Sequence, residues 1–147
     1  VSVPPGYRVP RRLLADAVTA TLEAEGVTEG EIGVVCLRDG PIRALNRDWL
    51  GHDRVTDVLS FPLHDPGDPP FGDVCVGLEQ AKRQAKEHGV PQAEELVRLV
   101  VHGTLHLLGY DHQAGASVDS DVELFRKQEE LVRSLVMRRA GPTGRRA

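Results

Sequence analysis

From Pro10 to Glu25 the apolar side chains fall at Leu13, Leu14, Ala17, Val18 and Leu22, three and four residues apart, and Gly26 stops the run. That spacing puts them on one face of a helix. The next apolar run is of another kind: EIGVVCLR, Glu31 to Arg38, is short and β-branched and predicts a strand. Asp39-Gly40-Pro41 then turns the chain into a helix that Pro41 can open and that ends near Leu50-Gly51. VTDVLSF, Val55 to Phe61, predicts a second strand stopped by Pro62, and LHDPGDPPFG, with three prolines and two glycines, predicts a loop. DVCVGL, Asp73 to Leu78, is the third strand, and Glu79 to His88 a helix closed by Gly89. Behind Pro91, the run from Gln92 to Leu108 is apolar on most sides, which is how a helix in the centre of a domain looks. A last amphipathic helix from about Asp119 to Arg139 uses Val122, Leu124, Phe125, Leu131, Val132, Leu135 and Val136, with Ser117 or Asp119 as N-cap.

These elements describe one α+β domain over residues 1–147, a small mixed sheet flanked by helices. A chain of this length can bury roughly 70% of the surface its unfolded form exposes, so it needs no staple. The prolines of SVPPGYRV weigh on a further strand there, and segments 1–9 and 140–147 are expected to be flexible.

Composition adds little and excludes some classes. Hydrophobic residues at 40% and charged residues at 27% fit a soluble domain. No apolar run suits a membrane span and the N-terminus lacks a signal-peptide core, so a cytoplasmic protein with no membrane partner is expected. The net charge of −4 argues mildly against a protein that coats nucleic acid, although arginines and lysines cluster near the start, around Lys82, and in the tail. Cys36 and Cys75 each lie in a β-branched run and are expected as reduced core residues.

Chemistry concentrates in VVHGTLHLLGYDHQ, Val100 to Gln113. Four residues apart on a helix, His102 and His106 present two imidazoles to one point. Gly109 can adopt the conformation that ends a helix and lets the chain return, so that His112 reaches the same point as a third ligand. Three imidazoles suit zinc or another divalent transition metal and leave a position open for catalysis. Asp111, beside His112, can orient an imidazole from behind or cap the turn. The spacing HxxxHxxGxxH is shared with metzincin peptidases, which gives a metzincin-like metal-binding helix, but those enzymes carry a glutamate as general base where this chain has Gly103. Proteolysis is demoted accordingly, and Gly103 is expected to leave room at the metal face for a bulkier phosphodiester.

HGTLHLLGYDH resembles the HGxLHLxGYDH signature of the YbeY endoribonuclease family, the bacterial rRNA maturation factors. TDVLSFPL, FGDVCVGLEQA and LNRDWLG are similar to further blocks of that family, in the same order. The resemblance implies a zinc-dependent, single-strand-specific endoribonuclease acting in 16S rRNA 3′-end processing and ribosome quality control. It implies His102, His106 and His112 as metal ligands, and as partners rRNA, the small ribosomal subunit and assembly factors such as an Era-type GTPase. One departure is Leu50, where many members carry an arginine that assists catalysis; Arg54, four residues on, is then the candidate for holding the phosphate. A reading from another class is a non-catalytic ribosome assembly factor with a structural metal.

Overall fold

A computed structural model of the chain describes residues 1–110 and 118–139. Along it run α1 (Arg11–Ala24), β1 (Glu31–Leu37), α2 (Asp39–Leu50), β2 (Val58–Pro62), β3 (Phe71–Gly77), α3 (Leu78–His88), α4 (Gln92–Leu107) and α5 (Val118–Arg139). The sheet has the order β1-β3-β2, with β1 parallel and β2 antiparallel to the central β3. It is therefore a small mixed sheet in an α+β fold, as the pattern predicts.

Strand alternation sorts the core into two layers. Val34, Cys36, Val74 and Val76 point to the side where α1 and α4 pack, and the larger core forms there. The intervening Val35, Leu37, Cys75, Leu59 and Phe61 meet Ile42 and Leu45 of α2 on the opposite side. Cys36 and Cys75 consequently lie on opposite faces of the sheet, both free and both buried. Burial pushes the Cys75 thiol up to about 11 and raises that of Cys36, so both are protonated at neutral pH. They are reduced core residues, as expected.

β3 begins at Phe71, inside the segment whose prolines and glycines predict a loop. Gly72 is not a turn residue there: a Cβ on it would press on the Phe61 carbonyl oxygen and lie 3.1 Å from Pro62 Cα. A glycine at a point of close backbone approach and one in a turn look alike in sequence. The first residues run along the β1 edge, where Ser2 takes a parallel bridge to Val35 and Val3, Tyr7 and Val9 pack on the core. Segment 140–147 and the proposed N-cap Ser117 lie outside the described residues. No helix among the described residues is long and apolar enough to cross a membrane.

α4 is the axis of the fold, with Leu96, Val97, Leu99, Val100, Val101, Leu105 and Leu107 all buried. It packs against α1, α3 and α5 and lies across β2 and β3. Gly103 makes that last contact possible. A Cβ on Gly103 would lie 2.5 Å from Val74 Cγ1, 3.1 Å from Val58 Cγ2 and 3.2 Å from Ser60 Oγ. The Ser60 hydroxyl donates to the Gly103 carbonyl oxygen at 2.8 Å, which seals the approach. The expectation that Gly103 clears room at the metal face is thus corrected. The space that a side chain at 103 would take is already filled by Val74, Val58 and Ser60 of the sheet.

Adding a methyl group at Gly103 should therefore destabilise the protein. Gly103→Ala gains about 1 kcal/mol of helix propensity but overpacks against fully buried, χ1-stiff Val74, at a cost of about 1–3 kcal/mol. We expect a lower urea midpoint at unchanged slope; an equal or higher midpoint would show that the helix and sheet part without cost.

Candidate metal centre

The last two turns of α4 bring the two helical histidines together. His102 Nε2 and His106 Nε2 are 2.9 Å apart, with ring centroids at 4.4 Å and ring planes tilted by 58°. Two imidazoles on one tetrahedral zinc, with bonds of about 2.05 Å, place their nitrogens about 3.3 Å apart. The observed pair needs to open by only a few tenths of an ångström, so its geometry and its donor atoms fit such an ion.

α4 ends where Gly109 predicts. Gly109 has a φ of 105°, its N–H donates to the His106 carbonyl at 3.0 Å, and the Tyr110 N–H donates to that of Leu105 at 3.1 Å. The Tyr110 hydroxyl donates to Glu25 Oε1 at 2.7 Å, and Lys127 Nζ donates to the Tyr110 oxygen at 2.6 Å and to Glu25 Oε2 at 3.0 Å. The turn is thereby tied to the end of α1 and to α5. Asp111 and His112, the expected orienting carboxylate and third ligand, lie outside the described residues. Among the described residues no group of three metal-ligating side chains comes together.

What sequence reasoning missed is the support behind His102. Its Nδ1 lies 2.7 Å from Gln128 Oε1 of α5, and Gln128 Nε2 donates to Glu129 Oε2 at 3.1 Å. Arg98, four residues before His102, grips Glu129 with Nε at 2.9 Å and Nη2 at 3.1 Å. The same guanidinium reaches Glu94 at 3.0 Å and Glu95 at 3.2 Å, and Gln84 Nε2 of α3 donates to the second Glu95 oxygen at 2.9 Å. Burial alone would push the Glu129 carboxyl up, but hydrogen bonds from Arg98 and Gln128 outweigh it and hold the group below the ordinary value. A signal was present: Gln128 falls on the apolar stripe of α5, between Leu124 and Leu131, Val132 and Leu135, and is only 7% exposed. A polar side chain on a buried stripe has a partner to satisfy.

His102 stands between two clefts. One, of about 320 Å³, is lined by Leu50, Val58, Leu59, Ser60, Pro62 and both histidines. The other, of about 370 Å³, holds Gln84, Glu95, Arg98 and Gln128, with Asp57 and His88 at its border. Leu50, at the position where the resemblance implies an arginine, is thus a wall of the cleft that contains the imidazoles. Its neighbour Trp49 is 70% exposed and stands edge-on to Phe61, with ring centroids at 6.3 Å. Arg54 lines neither cleft; it is exposed between α2 and β2, where its carbonyl accepts from Asn46 Nδ2 at 3.0 Å. A larger cleft of about 490 Å³, bordered by Arg11, Arg12, Asp16 and Arg138, holds none of the histidines.

Residues 8–136 match the family model described as endoribonuclease YbeY. The chain is 42% identical over 136 residues to the endoribonuclease YbeY of a Thermus thermophilus strain, covering 90% of this chain and 94% of that one. It is 38% identical over 133 residues to that of Persephonella marina, covering 86% and 84%. The solution structure of TM1509 from Thermotoga maritima superposes with a TM-score of 0.66 at 28% identity, covering 96% of this chain and 91% of that one.

The ion pair behind His102 should make stability depend on pH. Because the folded Glu129 carboxyl titrates below its unfolded value of about 4.3, its contribution is complete above that value and is lost as pH falls through the folded one. Between about pH 5 and pH 3, Glu129→Gln should show a flatter fall in urea midpoint than the wild type. Parallel curves would mean that Glu129 is not stabilised as its contacts indicate.

Proposed function

This chain belongs to the endoribonuclease YbeY family, and from that premise we propose that it is a zinc-dependent, cytoplasmic endoribonuclease that cuts single-stranded RNA in maturation of the 16S rRNA 3′ end. Membership makes it a hydrolase acting on RNA; the metal, the strand preference and the ribosomal role are the proposal. The observation that carries it is the convergence of His102 and His106 Nε2 at the mouth of an open cleft. With His112 as third ligand, α4 then acts as a metal-binding helix of metzincin-like spacing.

Bound there, zinc supplies Lewis acidity toward a phosphodiester oxygen and toward water near neutral pH. The remaining work falls to the chain. The apolar wall of Leu50, Val58 and Pro62 limits water around a bound strand. Trp49, buttressed by Phe61, offers a face on which an unpaired base can stack, and bases inside a duplex do not present that face. Arg43 and Arg47 are paired with Asp53 and Asp48, whereas the Arg54 guanidinium has no carboxylate partner among the described residues. That leaves Arg54 able to meet a phosphate of a strand that runs beyond the cleft, which Arg54 does not line. One observation favours the assembly-factor reading: an aliphatic Leu50 fills the cleft wall where an arginine would supply positive charge.

Removing a ligand separates these readings. His106→Ala should lose zinc and lower single-stranded RNA cleavage by more than about 100-fold, beyond the loss expected for a partner of a ligand. Full activity after EDTA treatment would sink the metal. Equal single-turnover rates for wild type and His112→Ala on an rRNA 3′-end substrate would leave only the assembly role.

Trp49 is the one tryptophan in the chain and so reports on the strand directly. Single-stranded oligoribonucleotide should quench its fluorescence and duplex should not, and Trp49→Ala should weaken binding by about 1–3 kcal/mol. Equal quenching by both forms would remove the basis for strand preference.

A further inference from the structure

The groups behind His102 differ in what they can donate, and the order in which they stand gives the chain a direction. Arg98 can only donate, and an ionised Glu129 can only accept. The two oxygens of Glu129 receive Arg98 Nε and Nη2, and Oε2 also faces the Gln128 amide at 3.1 Å. If that amide were turned round, its oxygen would face a carboxylate oxygen at this distance, on a side chain that is itself only 7% exposed. Such a contact is repulsive and poorly screened. Gln128 therefore turns its NH2 to Glu129 and its oxygen to His102. A neutral imidazole carries one N–H and one lone pair, so the nitrogen 2.7 Å from that oxygen is the one that carries hydrogen.

We propose that Arg98, Glu129 and Gln128 form a one-way relay that holds His102 as its Nδ1–H tautomer, leaving Nε2 as a bare lone pair turned to His106. Arg98 cannot easily abandon the relay, because Glu94 and Glu95 fix the rest of its guanidinium. Gln128 is in these terms a positioning residue: it acts through His102 and spares the ion the cost of selecting a tautomer. This serves the metal reading given above, yet the tautomer exists in the metal-free protein and is measurable there.

The test is long-range 1H–15N NMR of the imidazoles in metal-free protein at about pH 8, where an ordinary histidine is neutral. Wild-type His102 should show Nδ1 protonated and Nε2 bare. Glu129→Gln never touches the ring, but it removes the acceptor-only partner, so Gln128 can turn either way and a mixture of tautomers should appear. Gln128→Leu should abolish the preference and weaken zinc by about 10–100-fold in competition with a chromophoric chelator. Gln128→Glu combined with Glu129→Gln keeps an oxygen at Nδ1 and a donor beside it, and should restore both tautomer and affinity. A wild-type His102 protonated at Nε2 would overturn the relay. So would a Gln128→Leu variant that loses only thermal stability while its tautomer stays unchanged. If the tautomers behave as described but wild type takes up no zinc, the relay stands and the metal reading fails.

Discussion

The seating of α4 on the sheet at Gly103 is the contact on which the other arrangements depend. With a Cβ barred by Val74, Val58 and Ser60, the helix comes down close enough for Ser60 to bond the Gly103 carbonyl. That contact fixes the rotation of α4 about its own axis, because only one residue in this turn lacks a side chain. With 103 pressed on the sheet, 102 and 106 must emerge along the β2 side, where the cleft wall of Leu50, Val58 and Pro62 stands. The histidines are placed by the packing of their neighbour.

A helix surrounded on most sides has no free polar face, yet α4 carries Glu95, Arg98, His102 and His106 at three- and four-residue spacing along one stripe. Burying such groups unpaired would cost several kcal/mol each. Two neighbouring helices answer three of them: Gln84 of α3 meets Glu95, while Glu129 and Gln128 of α5 meet Arg98 and His102. No buried side-chain polar atom among the described residues lacks a partner. The stripe that holds the helices in register is thus continuous with the imidazole pair.

How legible this was from sequence depends on the distance over which each feature is decided. Periodicity is local, and it gave α1, α3, α4 and α5 to within a residue or two. Gly109 ending α4 was equally local. Gly72 and Gly103 were misread because a glycine's reason lies in what stands opposite it across the fold: Phe61 in one case, Val74 in the other. Gln128 was missed for the same reason. It lies 26 residues from His102, and its only local trace is a polar residue where the stripe of α5 calls for an apolar one. The spacing of the histidines predicts two converging rings but does not say which nitrogen each ring presents, since that is decided by the partner on the far side.

The missing glutamate also takes on a different meaning. Compared with a peptidase motif, Gly103 looks like a deleted base and so like a clue to another reaction. In the fold, a side chain at position 103 would meet Val74, Val58 and Ser60 already at its first carbon. Its absence records how tightly α4 lies on this sheet. The reaction class has to be argued from what the cleft does present: two convergent imidazoles, an aliphatic wall, and beside it an exposed indole braced by a phenyl ring. An unpaired nucleotide has a phosphate for the first and a flat base for the last. That match, together with the family, is the structural case for RNA.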